Sequence, residues 1–391
     1  MANFNFRIRT ITSGVDLKSL DDLEQFKNVL DFLAKAKSKF EADGYEVQTI
    51  RICTPNLFEI KGCESGLNTQ NLTKIQALDE LCQSYQAMCA IGDPFPTDTY
   101  QSKNISYILD LIQNTKSVSF HTNIASEENG IHENSVKLAA DICHALSNNS
   151  EGGEANFRFT AAANCSAGIP YFPVAYHNGA NSFGIGLENG TLFQNAIRSS
   201  FKKDLRSSLK DHLIDASTPI IRISEELAKV HQISFNGIDI STAPGLDSSI
   251  GKAIEMISGV PFGDAATLHA CSIITDVLKN LPFKTCGYSG LMLPVIEDKV
   301  LAQRASESKY SIKELLLFSA VCGIGLDVVP IPGDTSPSVI ARLYRDMASL
   351  SLKYNSKMLS ARLFPIPGKA SGEWARFENP YLTDCKVMSL S

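Results

Sequence analysis

Segments with the two-residue periodicity of β-strands alternate along most of the chain with segments that have the periodicity of amphipathic helices. The first strand is predicted at residues 6–12, where FRIRTIT alternates and is rich in β-branched side chains. The following helix is predicted over residues 19–44, with Ser19 as its N-cap and Gly44 at its end. This alternation is typical of an α/β fold.

The same pattern continues to the end of the chain. Further strands are predicted at 45–53, 117–125, 156–163, 182–188, 233–241, 286–296, 325–332 and 360–367. Further helices are predicted at 73–89, 105–114, 132–147, 191–213, 217–232, 248–258, 265–280, 311–321 and 338–353. Several of these strands are continuous apolar runs, which favours strands buried on both faces of a parallel sheet or barrel. No shift in composition marks a linker, so residues 1–391 are predicted to form a single compact α/β barrel-like domain.

Composition narrows the classes of partner. The chain has 36 Lys and Arg against 42 Asp and Glu, a net charge of −6, and it has no long basic run. Nucleic acid and acidic membrane surfaces are therefore not expected as partners. The N-terminus lacks a signal peptide, and no apolar run reaches the roughly 18 residues of a membrane span. The ten cysteines are scattered without a CxxC motif, which indicates free thiols in a cytoplasmic protein. The sequence is compatible with a homo-oligomer.

The stretch CGIGLDVVPIPGDTSPS at 322–338 is the most concentrated candidate for chemistry. It is not a nicotinamide or flavin fingerprint, because Val328 occupies the position of the third glycine and the apolar strand follows the glycines instead of preceding them. We read it as a turn after a helix that ends near Cys322, then a strand that carries Asp327, then a second turn. Asp334 and Thr335 then lie beside a helix N-terminus at the end of a strand, where α/β active sites are usually built.

A second stretch, FPIPGKASGEWARF at 364–377, repeats this pattern and places Lys369 after its strand. Asp334 and Lys369 are therefore predicted to lie as an acid and a base at neighbouring or facing strand ends. Arg362 lies earlier on the second strand, and if it points inward it needs a carboxylate partner or an anionic ligand. The alternative is that Asp334 caps loose backbone N–H groups and that both basic residues lie at the surface.

Acidic residues mark two further strand ends. Asp239 is embedded in an apolar strand, so it must be paired or functional. Glu297 and Asp298 follow an apolar strand and lead into a helix. They could bind a divalent cation, perform acid–base chemistry, or complement the helix dipole.

Two histidines and a thiol are secondary candidates. Cys165 follows a strand, and His177 lies shortly after it, so the two could form a nucleophile pair. The alternative is a buried thiol and a structural histidine. His121 also lies at a strand end and could line the same edge.

Several motifs together resemble a known family. They are FRFTAAANCSAGIPYFPVAYH, FGIGLENG, FNGIDISTAP, CGYSGLMLPVIED, AVCGIGLDVVPIPGD and ARLFPIPGKASGEWARF. In order and spacing they look like the DUF711 family, also called UPF0210, over nearly the whole chain. The resemblance implies the α/β barrel of pyruvate formate-lyase (PFL)-type glycyl radical enzymes, which has about ten strands in two parallel halves.

The resemblance also raises the question of radical chemistry. KASGEWARF would place Gly372 as the radical glycine, with Cys322 or Cys165 as the thiol. The match departs from the radical loop, because Lys369 and Ala370 precede the serine and Glu373 follows the glycine. The chain is also about half the usual length of such enzymes, and fold alone does not confer function.

The preferred hypothesis is an enzyme that uses a pocket at the barrel mouth for non-radical acid–base chemistry on a small polar organic molecule. A lyase, cyclase, isomerase or hydrolase would fit. The predicted catalytic residues are Asp334, Lys369, Asp239, Glu297, Asp327, Cys322 and His177. The predicted substrate-binding residues are Arg362, Asp298, Thr335 and His121. The alternatives are a non-catalytic small-molecule sensor on an enzyme-like scaffold and a glycyl radical enzyme. The sequence does not identify a cofactor, and a divalent cation is one candidate.

Overall fold

The computed structural model describes residues 6–200, 204–321, 323–353 and 357–390. Strands and helices alternate along the chain, as predicted for the α/β class. The strands are β1 (Arg7–Gly14), β2 (Val47–Cys53), β3 (Ala87–Ala90), β4 (Val118–Ser126), β5 (Gly130–Ile131), β6 (Phe159–Ala163), β7 (Ser182–Glu188), β8 (Ser234–Ala243), β9 (Gly325–Pro332), β10 (Leu359–Ile366), β11 (Trp374–Ala375) and β12 (Cys385–Lys386).

The helices largely follow the predicted segments. They are α1 (Leu23–Ala42), α2 (Thr69–Ser84), α3 (Lys103–Asn114), α4 (Glu133–Asn148), α5 (Gly190–Ser199), α6 (Leu205–His231), α7 (Ile250–Ser258), α8 (Thr267–Lys279), α9 (Lys299–Ser306), α10 (Ile312–Ala320) and α11 (Pro337–Lys353). Short 3-10 helices cover Leu57–Glu59 and Glu151–Arg158. No helix in these described stretches is long and apolar enough to cross a membrane.

Some predicted boundaries are wrong for local reasons. α1 begins after Asp22, not Ser19, because the Asp22 carboxylate accepts the N–H of Gln25 at 3.1 Å. The helix predicted at 73–89 ends at Ser84, and the residues after it form β3. α6 is one continuous helix, although Pro219 lies in its interior. The break predicted between residues 213 and 217 is therefore absent.

Ten strands form one mixed sheet. Its order is β8-β7-β1-β2-β3-β4-β6-β10-β9, and β5 pairs with β4 beside this path. β1, β2, β3, β4 and β6 are parallel to one another. β7 with β8, and β9 with β10, form parallel pairs that run in the opposite direction. The N-terminal end of β1 and the C-terminal end of β7 therefore share one edge, where Arg7 is opposite Glu188.

The two end strands of this order, β8 and β9, both bond to residues 285–295. This segment bridges Ile238 of β8 through Thr285, and it bridges Asp327 of β9 through Pro294. The predicted strand at 286–296 is thus an irregular segment. Its backbone N–H groups are taken by side chains of β8, since Asp239 accepts those of Tyr288 and Ser289 at 3.0 Å.

Helices cover the outer face of the sheet, and one continuous cluster of apolar side chains fills the space between them. The cysteines in the described ranges are free thiols, as predicted, and most of them are buried. Buried charged side chains that lie outside this apolar cluster are the part of the molecule that needs a functional explanation.

Close strand contact at Gly325 explains part of the glycine-rich motif at 322–325. Gly325 has φ 109°, and a Cβ atom there would lie 2.0 Å from the Ser360 carbonyl oxygen of the neighbouring strand. The φ value alone disfavours any other residue, and the contact makes a side chain impossible without separating β9 from β10.

We expect Gly325→Ala to lower the free energy of unfolding by about 3 kcal/mol or more, because backbone strain and overpacking add at this position. Urea unfolding would measure the loss. Gly62→Ala is the matched control, since Gly62 has φ 85° but a Cβ atom there would meet no other atom within 4 Å. Equal losses of unfolding free energy in the two variants would show that the contact between position 325 and the Ser360 carbonyl oxygen contributes nothing.

Candidate functional site

Buried and half-buried charged side chains meet at the edge shared by the start of β1 and the ends of the opposite-running strands. They come from β1, the end of β7, the turn before α9, β9 and β10. We call the following set the charged layer: Arg7, Arg9, Glu188, Glu297, Asp327 and Arg362.

Glu297 is the centre of the charged layer because it pairs with two guanidinium groups. Its Oε2 accepts from Arg9 Nη2 at 2.6 Å, and its Oε1 accepts from Arg362 Nη2 at 2.8 Å. Arg362 also donates from Nε to Asp327 Oδ1 at 2.8 Å. Arg362 thus points inward and has carboxylate partners, which is one of the two cases that the sequence analysis left open.

Burial makes these pairs obligatory. The side chains of Arg362, Glu297 and Asp327 are 7%, 4% and 9% exposed. Burial acts to lower the pKa of Arg362, but the Asp327 and Glu297 carboxylates outweigh it and raise that pKa. The guanidinium therefore remains charged, and its carboxylate partners cannot be removed without leaving a charge alone in the interior.

A cavity of about 80 Å³ lies beside the charged layer, and we call it the arginine pocket. Arg9, Arg51 and Arg362 line it, with Glu297 as its acidic group. Three guanidinium groups therefore face this space, and Glu297 is the one carboxylate that lines it, while Asp327 balances Arg362 from outside the pocket. An anionic ligand would restore the balance.

An aromatic wall bounds the other side of the arginine pocket. The Phe157 and Phe172 rings are 5.4 Å apart, and Tyr381 stacks on Phe157 at 6.5 Å. The Arg51 guanidinium carbon lies 5.4 Å from the Phe172 ring centre, and that of Arg362 lies 5.0 Å from the Phe157 ring centre. These cation–π contacts orient both guanidinium planes at the pocket.

Arg51 differs from the other two arginines in having no acidic partner. Within the described residues no carboxylate lies within 4 Å of it, and its buried Nε has no hydrogen-bond partner. Burial, with a contribution from Arg9, lowers the pKa of Arg51 to about 9. The group is still protonated at neutral pH, so a positive charge faces the pocket without a counter-ion.

The predicted acid and base, Asp334 and Lys369, lie outside the arginine pocket. Their turns are adjacent, as the repeated motif predicts, because Gly333 N–H donates to Lys369 O at 3.0 Å. Both side chains are exposed, and neither forms an ion pair with another described residue. Thr335 is buried, and its hydroxyl donates to Pro332 O at 2.6 Å, which closes the turn.

Asp298 and Asp239 each bind several backbone N–H groups. Asp298 is the N-cap of α9 and also accepts from Ile250 N at 2.7 Å at the start of α7, which fits the helix-dipole alternative. Asp239 is fully buried and fixes the 286–290 loop; burial raises its pKa to about 6. The described residues contain no group of three or more potential ligands placed to hold a metal ion.

The predicted thiol and histidine candidates lie toward the opposite edge of the sheet. Cys165 Sγ is 3.3 Å from the Tyr288 hydroxyl, and burial raises the pKa of Cys165 to about 12. His177 Nε2 contacts Gly179 O at 2.9 Å, not Cys165. His121 is buried, and burial lowers its pKa to about 3. Cys322 lies outside the described residues.

Sequence reasoning missed four charged members of the site: Arg7, Arg9, Arg51 and Glu188. The signal was present, because FRIRTIT and VQTIRIC place arginines inside apolar strands. The rule that identified Arg362, that a charge in an apolar strand needs a partner, applies equally to Arg9 and Arg51.

We expect Arg362→Met to lower the free energy of unfolding by about 3–5 kcal/mol, because it leaves buried carboxylates without their partner. Arg345→Met is the matched control: its pair with Glu133 is exposed, and we expect a loss of at most about 1 kcal/mol. Denaturant titration of both variants tests the difference, and similar losses would contradict it.

Comparison with known proteins agrees with this chain's motifs. The family model described as "Uncharacterised ACR (DUF711)" matches residues 1–378. A UPF0210 protein of Bifidobacterium adolescentis is 27% identical over 95% of this chain and 88% of its own length. A UPF0210 protein of Pyrobaculum arsenaticum is 30% identical over 69% of this chain, and the chain spans only 62% of that relative. The chain belongs to the DUF711 family, whose curated members carry the name UPF0210.

Proposed function

We propose that the arginine pocket binds a small organic anion and that the protein acts on this ligand by non-radical acid–base chemistry. The observation that carries the proposal is Arg51, a protonated guanidinium that faces an enclosed pocket without a carboxylate partner. An isolated charge in such a place is costly, and an anionic ligand removes that cost. A guanidinium also binds a carboxylate or phosphate through two parallel hydrogen bonds.

The size of the pocket favours a small ligand. Its volume of about 80 Å³ is well below the roughly 300–1,000 Å³ of sites for drug-sized ligands. The wall formed by Phe157, Phe172 and Tyr381 supplies an apolar surface for the rest of the molecule. The ligand is thus expected to be compact, with one anionic group and a short body.

The arrangement of charges supports acid–base chemistry. Arg9, Arg51 and Arg362 are placed to stabilise negative charge that develops on a bound molecule, and Glu297 faces the same pocket as a proton acceptor or donor. Lyase, cyclase, isomerase and hydrolase reactions all use such groups. Gly372 is exposed, with open space around it, which does not suit a radical that must be shielded.

One observation favours a second candidate, ligand binding without turnover. Glu297 uses both carboxylate oxygens to bind arginines, so it is not a free base in the unliganded protein. A pocket built mainly from paired charges can recognise an anion without transforming it. Turnover measurements separate this sensor role from the enzyme.

We also propose that residues 285–295 close the sheet into a barrel of the PFL type. The bridges from this segment to β8 and to β9 support closure, as does the pairing of β1 with β10 through Glu297. Such a barrel places the charged layer in its interior, at one mouth. The proposed site is then a barrel-mouth pocket.

We expect small carboxylates and phosphate esters to raise the melting temperature of the protein, and Arg51→Gln to weaken the binding of active compounds at least tenfold, because charge-assisted hydrogen bonds contribute about 1.5–3 kcal/mol. Thermal-shift screening followed by calorimetric titration measures both effects. The same compounds incubated with the protein and followed by NMR would reveal turnover.

Arg222→Gln is the matched control, because it removes the same charge from an exposed position on α6. It should leave binding unchanged. An anion that binds Arg51→Gln as tightly as the unmodified protein, or a complete absence of anion binding, would overturn the proposal.

A further inference from the structure

A second cavity adjoins the arginine pocket on the side of β7. Its volume is about 170 Å³, and it shares Arg9, Gln48, Glu297 and Tyr381 with the arginine pocket. We call it the acidic pocket. The two cavities are therefore adjacent, and a ligand that spans them would pass these four shared residues.

The two cavities differ in the sign of their charge. The arginine pocket has three guanidinium groups and one carboxylate. The acidic pocket has two guanidinium groups, Arg7 and Arg9, against three carboxylates, Glu188, Asp247 and Glu297. A ligand that spans them therefore meets an excess of positive charge at one end and of negative charge at the other.

Glu188 is the acidic counterpart of Arg51. Its side chain is 1% exposed, and neither carboxylate oxygen accepts a hydrogen bond from another described residue. Arg7 Nε is 2.8 Å away and Arg9 Nη1 is 3.5 Å away, but their N–H groups are not directed at the carboxylate. Glu188 thus lies close to two positively charged groups, but its carboxylate oxygens accept no hydrogen bond from the described residues. Leaving the acceptors of a buried carboxylate without donors costs free energy.

Glu188 lines the acidic pocket, and the loop that contains Gly245 packs closely over its buried carboxylate. A Cβ atom at Gly245 would lie 2.4 Å from Glu188 Oε1, so any side chain there would press on the carboxylate. Pro244 is held by Arg9, whose Nη1 donates to its carbonyl oxygen at 2.6 Å. The glycine therefore lets the loop approach the carboxylate, and no side chain at position 245 lies between the loop and the unfilled acceptors.

We infer that the ligand is an amino acid-like zwitterion, with its anionic group on Arg51 and its ammonium group on Glu188. The inference rests on the proposed function and adds the second recognition point. An ammonium group supplies the hydrogen-bond donors that Glu188 lacks, and its charge matches the excess of carboxylates. A ligand with a carboxylate but no ammonium group would bind Arg51 and leave Glu188 without hydrogen-bond donors.

The test compares amino acids with molecules that lack one of the two charged groups. The full-length protein is titrated calorimetrically with the protein amino acids and with 4-aminobutyrate. Each is paired with the acid that lacks its amine and the amine that lacks its carboxylate, such as leucine, 4-methylpentanoate and 3-methylbutylamine. At least one amino acid should bind about tenfold or more tightly than its matched acid, because a hydrogen-bonded ammonium–carboxylate contact contributes about 1.5–3 kcal/mol.

Substitutions assign the two ends. Glu188→Gln should abolish the preference for the amino acid over its matched acid, whereas Arg51→Gln should weaken both. Glu226→Gln, an exposed change on α6, is the control for the lost negative charge. If Glu188→Gln does not fold, Asp247→Asn provides the same test with a smaller expected loss, because its side chain is 74% exposed and its removal leaves the interior intact.

The outcomes separate this inference from the proposed function. If the matched acids bind through Arg51 as tightly as the amino acids, the proposed anion site stands and the zwitterion inference falls. If the amines bind as well as the amino acids and Arg51→Gln has no effect, both fall. A preference that survives Glu188→Gln in a folded protein would also overturn the inference.

Discussion

The pairing of Glu297 with two arginines is the interaction on which the site depends. Arg9 comes from β1 and Arg362 from β10, and in the sheet order β2, β3, β4 and β6 lie between these strands. One carboxylate therefore connects strands that are far apart along the sheet. Since an unpaired buried charge costs several kcal/mol, neither strand can move away from the other at this level without a large loss. The width of the polar interior is thereby fixed.

The same constraint explains why Arg51 is available to a ligand. Asp327 and Glu297 pair with Arg362 and Arg9, and no carboxylate of the described residues lies within 4 Å of the Arg51 guanidinium. Phe172 holds one face of the Arg51 guanidinium without neutralising it. The paired charges hold this part of the structure rigid, and the unpaired guanidinium of Arg51 is the group proposed to bind the ligand.

Much of the fold was predictable from local pattern, because strand and helix periodicity is a local property. The strands around Arg362 and Asp327 followed from such patterns, whereas the family membership followed from the resemblance of several sequence motifs. The site was less predictable, because it depends on which distant side chains meet. Arg362 was found through the cost of burying its charge, but Arg9, which shares the Glu297 carboxylate with it, is 353 positions earlier, and no local pattern connects them. The turns carrying Asp334 and Lys369 were correctly placed side by side, yet their side chains point to solvent.

The irregular segment at 285–295 shows a second limit. Its apolar sequence predicts a strand, but Asp239 supplies acceptors for the N–H groups of Tyr288 and Ser289, so the segment has no need of a regular ladder. A single buried carboxylate on one strand thus determines the backbone path of another. Propensity cannot reveal this, because the information lies about fifty residues away.

The long sequence separation within the charged layer has a consequence for how the protein is made. Arg9 and Glu297 are 288 residues apart, and Arg362 is later still. While the chain emerges from the ribosome, Arg9 lacks Glu297 until most of the polypeptide has been synthesised. The arginine pocket is therefore one of the last features to form, and a chain that ends before residue 362 lacks one of the three guanidinium groups that line it.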